Sequence, residues 1–437
     1  VKLRDYQERG VREIVDALAT HGRVLAVSPT GSGKTVMGAA VITGACSTAR
    51  VLWIAHRREL LAQARKALKS AGLARVGILS GTAKEDTDAP VLVASIDTLR
   101  RTDLARFDLV VVDEAHRVAA KSYQDVLAAL PGVPVLGLTA TPQRLDGKPL
   151  SDTFAHRVVV ALNAELFASK YLVKPVTYGV PKHIARAMRR GVTSGDGVSD
   201  ALNTMLMRPK LMGDVVEECA KHAPGARTIV FAASRTHAKA LAKRFTKAGR
   251  PTAYLDGDTP DGERFDILER FAAGAIEVVV NVDILTEGYD LPAVKCIVLA
   301  RPTKSRARYL QYCGRASRPH NGRGAVVLDH AGNWLTHGLC WEDREWRDGR
   351  EKGSGDAPCW RCECGHINPV GTTECAECGA ARPRSEREEA DERAQLERIE
   401  AGASAKAALE KRLREFAASK GMARAEADEW VRKAVAA

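Results

Sequence analysis

Three short stretches combine residue types and spacings suited to one chemistry. In SPTGSGKT, residues 28–35, Gly31 and Gly33 flank Ser32 and lead into Lys34 and Thr35. Glycines let the backbone turn until several N–H groups face one anion, and a helix starting there adds the positive end of its dipole. The pattern G-x-x-x-x-G-K-[ST] is met except at its first position, which is Ser28. Lys34 is then the contact for β- and γ-phosphates, and Thr35 a ligand of Mg²⁺. In FDLVVVDEAH, residues 107–116, an apolar run delivers Asp113 and Glu114 to its carboxyl end. Asp113 suits Mg²⁺ held through its water shell, and Glu114 can orient and deprotonate an attacking water. In QYCGRASR, residues 311–318, Arg315 and Arg318 lie three apart. On a helix that spacing puts both guanidiniums on one face, where their planar forks suit phosphate or carboxylate oxygens.

These groups need rigid elements to hold them. RVLAVSP, RVLWIAH, PVLVAS, FDLVVVDEA and VPVLGLTAT are short β-branched runs ending in turn or polar residues, with helical stretches such as ELLAQARKALKSAG between some of them. Strands apolar on both faces imply a parallel sheet covered by helices. RTIVFAAS, PTAYLDG, IEVVVNVD, VKCIVLA and GAVVLDH repeat the theme. The predicted fold is α/β: a first domain over 1–155, a linker at 156–170 and a second domain over 171–338. A polar linker at 339–357, a cysteine module at 358–382 and a helical tail at 383–437 follow. Within the second domain, MRRGVTSGDGVSDALNTM reads as a loop feeding a helix, and LDHAGNWLTHG as a structural cap after the last strand.

A chain of 437 residues exceeds one ordinary core. No apolar run is long enough to cross a membrane, and VKLRDYQERG lacks a signal-peptide core, so a cytoplasmic chain in a bacterial or phage-infected cell is expected. The formal net charge of +12 favours a polyanionic partner. Of ten cysteines, five crowd into residues 359–378. Clustered Cys-x-x-Cys pairs in such a chain point to Zn²⁺ held by four thiolates. The predicted ligands are Cys362, Cys364, Cys375 and Cys378, with Cys359 as the alternative to one of the first two.

Taken in order, the motifs resemble those of superfamily 2 helicases of the DEAH type, similar to restriction-enzyme ATPase subunits and phage branched-DNA helicases. The cysteine module resembles zinc-ribbon and RanBP2-type fingers. The helicase resemblance covers about residues 4–318 and implies two tandem RecA-like domains with ATP between them. RDYQ resembles the adenine-reading element, with Arg4 and Gln7 at the base. AHRREL, SIDTL and TAT resemble strand-contact and coupling motifs, and VFAAS, ILTEGYDLP and QYCGRASR those of the second domain. The resemblance implies Gly288, Asp290 and Gln311 beside the nucleotide, and Arg315 and Arg318 reaching its γ-phosphate. It implies Arg57, Thr98, Ser234 and Thr286 along a nucleic-acid strand, and His116, Thr139 and Thr141 in coupling. The expected activity is that of an ATP-dependent helicase or translocase, with DNA favoured over RNA. The alternative is an ATP-switched nucleic-acid-binding protein or a duplex translocase subunit that does not separate strands, or an RNA helicase.

Overall fold

Alternating residues within each central strand serve two different cores. In β2 (Val51–Ala55), Val51, Trp53 and Ala55 pack into one cluster while Leu52 and Ile54 pack into another on the opposite face. In β10 (Thr228–Ala232), Val230 and Ala232 divide from Ile229 and Phe231 in the same way. Side chains alternate with a period of two, so a strand buried on both faces reads as an unbroken apolar run.

The structure is a computed structural model. It describes residues 2–45, 49–81, 83–99, 104, 106–144, 148–180, 182–193, 196–285, 294–319 and 324–343, then 359–361, 367–369, 374, 379–380, 397–399 and 403–436. Thr286, Gly288, Asp290, Cys362, Cys364, Cys375 and Cys378 lie outside these residues, and Cys359 is described only as backbone.

The first sheet contains β1 (Arg23–Val27), β2, β3 (Val76–Ser80), β4 (Ala83–Glu85), β5 (Val91–Ser95), β6 (Leu109–Asp113), β7 (Val135–Thr139) and β8 (His156–Val159). Their order is β4-β3-β5-β2-β6-β7-β1-β8, parallel except for β4. The second sheet comprises β9 (Pro175–Gly179), β10, β11 (Thr252–Leu255), β12 (Val278–Asn281), β13 (Cys296–Ala300) and β14 (Ala325–Asp329). They run parallel in the order β11-β12-β10-β13-β14-β9. Short strands β15 (Cys359–Arg361) and β16 (Ile367–Pro369) pair with each other, and β17 (Glu397–Ile399) adds antiparallel to β9.

One boundary differs from expectation. Residues 156–170, expected as a linker, instead supply β8, paired with β1, and the helix Asn163–Ala168. β8 is an edge strand of mixed burial, so His156 and Arg157 hide its character in the sequence. The following helix is capped from afar. The Asp343 carboxylate accepts the N–H groups of Asn163 (2.6 Å) and Ala164 (3.1 Å). Helices Ala403–Ser419 and Arg424–Ala436 bring Leu413, Val431 and Ala434 against Ala164, and Lys420 pairs with Glu13.

Beyond β14, Asp329 accepts N–H groups of Ala331 (3.2 Å) and Trp334 (2.7 Å) and the Asn333 amide (3.1 Å). Asn333 in turn accepts the N–H of Thr303 at 2.8 Å. This network joins two loops at the carboxyl edge of the sheet, as the structural-cap reading of LDHAGNWLTHG requires.

Beside that edge, His237 is buried behind the cap residue Ser234, and its Nδ1 accepts from Ala233 N–H at 3.4 Å. Burial lowers its pKa from 6.5 to about 4. A depressed histidine favours the native state fully above its unfolded pKa and progressively less as pH falls towards the folded one. Urea unfolding of wild type and His237→Gln at several pH values should therefore show their stability difference moving in the variant's favour. The expected slope is about 1.4 kcal/mol per pH unit between pH 6 and 4.5; a constant difference would mean that His237 charges within the fold.

Candidate nucleotide site between the domains

The loop after β1 is fixed from three sides. Ser28 N–H donates to Thr139 O at 3.1 Å, tying the loop to the end of β7. The Tyr6 hydroxyl (2.5 Å) and the Gln7 amide (3.0 Å) both donate to Ser32 O. Gln7 also accepts Arg4 N–H at 3.0 Å, closing the first turn of the helix Asp5–His21. Gly31 and Gly33 have φ of +87° and +83°, in the left-handed region that glycine tolerates best. A Cβ on Gly33 would lie 2.6 Å from Gln7 Nε2, so the clamp and the glycine require each other.

Lys34 opens the helix Lys34–Ala45 and donates to the carbonyls of Ser28 (3.3 Å) and Pro29 (3.4 Å). Burial of its ammonium lowers its pKa, against the opposing pull of Glu114 and Asp113. Asp113 ends β6 and is buried, and its Oδ1 accepts Glu114 N–H at 3.0 Å. Burial, then the adjacent Glu114, push Asp113 up to about 7. Glu114 has φ 51° and ψ 52°, an uncommon conformation for a residue with a side chain. Its carboxylate lies 3.3 Å from His116 Nδ1. Thr139 and Thr141 are buried and bonded to each other, Thr139 Oγ1 donating to Thr141 O at 2.8 Å. Hence His116 and Thr139, expected in coupling, each touch a loop of the candidate site.

The second domain meets this site closely. Gln311, in the helix Arg306–Gly314, donates to Glu114 Oε2 at 3.5 Å, the outer limit of a hydrogen bond. Gly314 faces Thr30 so tightly that a Cβ there would lie 2.5 Å from Thr30 Cβ. The helix ends at Gly314, which corrects the expectation of two arginines on one helical face. Arg315 N–H bonds to Tyr312 O (3.4 Å) and Ala316 N–H to Cys313 O (3.1 Å), tightening the chain into turns. Arg315 remains buried at the helix end, while Arg318 is carried round to the loop, its Cγ 3.4 Å from where a Gly31 Cβ would be.

Two of the residues expected along a nucleic-acid strand, Arg57 and Ser234, have protein partners in this conformation. Arg57 spans the cleft, donating to Ile284 O (2.6 Å) and Asp283 O (3.2 Å) just after β12. Ser234 caps the helix Arg235–Lys247 by accepting His237 N–H at 3.1 Å and donates to Asn203 Oδ1 at 2.6 Å. Thr98 lies half-buried in the short helix Ile96–Leu99, at the carboxyl end of β5. Among the described residues no three or more His, Cys, Asp or Glu side chains gather as a metal site. Sequence reasoning passed over Tyr6, although it stands inside the quoted RDYQ, and over Gly314.

The tight clamp gives a measurable coupling. Gly33→Ala should destabilise the protein by about 1–3 kcal/mol through its positive φ. In a Gln7→Ala background the cost should shrink by at least about 0.5 kcal/mol, because the steric part is gone. Denaturant unfolding of the four proteins tests this, and strict additivity would show that Gln7 exerts no steric effect on the loop.

Comparison with known proteins agrees with this geometry. Residues 1–144 match the family described as type III restriction enzyme, res subunit, and residues 210–320 match the helicase conserved C-terminal domain. A 51.5 kDa protein of Lactococcus phage (isolate 7-9) is 32% identical over 366 residues, covering 82% of this chain and 75% of its own. The helicase-named IRC3 of Saccharomyces cerevisiae is 32% identical over 356 residues, and the chain covers only 51% of that protein. The ATP-dependent type ISP restriction-modification enzyme LlaBIII, solved bound to DNA, shares the fold with a TM-score of 0.57 at 15% identity, over 75% of this chain and 28% of its own. Two parallel sheets of the RecA-like kind, motifs in family order and matches over both domains make this chain a member of the superfamily 2 helicases, which are ATP-hydrolysing enzymes.

Proposed function

We propose that the chain is an ATP-dependent DNA motor, a helicase or translocase that turns each hydrolysis event into a step along a strand. The observation that carries this reading is the meeting of both domains at one loop. Arg318 lies against Gly31, opposite the Lys34, Asp113 and Glu114 of the first domain. A site assembled from two bodies is complete only when they close, so hydrolysis and interdomain motion become one process.

In this reading Lys34 exchanges the carbonyls of Ser28 and Pro29 for β- and γ-phosphate oxygens, joined by N–H groups of Gly31 to Thr35. The donor set fits Mg²⁺, since a buried carboxylate pushed up to about 7 beside a second one is relieved by a divalent cation. Asp113 and Thr35 would hold the ion, which when bound neutralises phosphate charge. Glu114, oriented by His116 and Gln311, takes the proton of the attacking water. Arg315 and Arg318 meet the charge that develops on the γ-phosphoryl group. Arg4, stacked 4.4 Å over Tyr171, and Gln7 flank the base. Gly288 and Asp290 complete the second-domain side, and Arg57, Thr98, Ser234 and Thr286 follow the strand. DNA is favoured over RNA by the restriction-enzyme family matched over residues 1–144. The charge of +12 suits either nucleic acid.

Glu114→Gln should leave ATP binding within a few-fold of wild type and lower DNA-stimulated turnover by about 10²–10⁴. ATPase rates with single strand, duplex, fork and RNA, beside unwinding of each, decide the rest. Turnover near the wild-type level in Glu114→Gln would refute the assignment of the base.

The same reading gives the cysteine cluster one structural Zn²⁺, held by Cys362, Cys364, Cys375 and Cys378 with Cys359 as the alternative. Metal analysis after dialysis should find one zinc per chain, and Cys375→Ser should lose it. Zinc-free protein with a fully folded C-terminal region would end this assignment.

A further inference from the structure

The helix Lys182–Arg190, KHIARAMRR, is amphipathic in an unusual way. Its inner face, Ile184, Ala185 and Met188, is buried in the second-domain core, and Gly332 lets Ala185 approach closely. His183, Arg186 and Arg190 follow at helical spacing on the outer face with Arg189 beside them, and the helix contains no acidic residue. Of the two carboxylates in the following loop and helix start, Asp196 turns inward. It accepts from Thr303 Oγ1 (2.7 Å) and pairs with Arg308 at 3.3 Å. Asp200 stands in the first turn of the next helix, Asp200–Leu206.

Topology puts this basic face beside the expected strand path. β9 and β10 run parallel in one sheet, so the segments after them, at Val180 and Ser234, leave by the same edge. The helix Asp200–Leu206 touches Ser234 through Asn203 and the turn at Gly191 through Leu202. The basic helix is therefore about one helix diameter, on the order of 10 Å, beyond Ser234. A duplex arm joined to a strand at Ser234 would span that distance, since its major groove alone is about 12 Å wide.

We infer that the outer face of the helix Lys182–Arg190 is a second nucleic-acid contact, one that grips the phosphate backbone of duplex DNA flanking the bound strand. The inference rests on the DNA reading above and adds to it a docking place for forked or duplex DNA. Contacts of this kind are independent of sequence and weaken steeply with salt.

The test compares Arg189→Gln/Arg190→Gln with Lys243→Gln/Lys247→Gln, an equal loss of charge. Lys243 and Lys247 are exposed at the far end of the helix that starts at Ser234, and so at the opposite edge of the sheet. Binding of a fork and of its single strand alone would be titrated at several salt concentrations, with thermal melts confirming that both variants are folded. The arginine variant should bind the fork at least tenfold more weakly, with the slope of log K against log salt reduced by about 2. Its affinity for the single strand should stay within twofold, and the lysine variant should match wild type. Unchanged fork affinity and slope in the arginine variant, or equal losses in both variants, would overturn the inference while leaving the motor reading intact. Wild-type protein that binds neither DNA and shows no DNA-stimulated hydrolysis would overturn both.

Discussion

The structure turns on one electrostatic arrangement: the ammonium of half-buried Lys34 held near two carboxylates, the buried Asp113 and the half-buried Glu114. Without the carboxylates, burial would weaken the charge on Lys34; without the lysine, Asp113 and Glu114 would repel each other more strongly. The neighbouring details hold these opposed charges apart without letting them collapse onto one another. Lys34 is turned to backbone carbonyls, Asp113 to the N–H of Glu114, and Glu114 by its left-handed backbone towards His116. Three parallel strands, β1, β7 and β6 side by side, set the spacing. The result is a site with strong positive and negative poles and few internal ways to cancel them, which suits a polyanion carrying a metal ion.

Much of this is legible in the sequence because its cause is local. Gly31 and Gly33 announce positive φ, and the apolar run before Asp113 announces a buried strand ending at a carboxylate. The central strands were readable for the same reason, since burial on both faces leaves no polar residue to interrupt the pattern. Edge strand β8 was not, because half-exposed positions hold His156 and Arg157, which read as linker. The arginine pair shows a subtler limit. Its spacing fits a helix face, yet the helix stops at Gly314, whose close approach to Thr30 demands a residue without a Cβ, and turns follow. That constraint comes from the other domain and leaves no periodic trace. Asp343 capping a helix some 180 positions earlier is invisible for the same reason.

The interdomain contacts also differ in kind. Gly314 against Thr30 and Arg318 against Gly31 are tight and steric, close to the loop, whereas Arg57 reaches carbonyl oxygens of Asp283 and Ile284 near the far rim. A steric contact is sensitive to small changes in loop shape. A guanidinium bonded to two carbonyls can exchange them for phosphate oxygens at little enthalpic loss, since both are acceptors. In the proposed reading the two ends of the cleft answer to different ligands, the loop to nucleotide and the rim to a nucleic-acid backbone. The protein core needs no long-range deformation to connect them, because both ends are borne by the same two rigid sheets. In the proposed motor, closing one end would move the other as a lever does, and coupling would follow from the stiffness of the domains rather than from a chain of side-chain contacts.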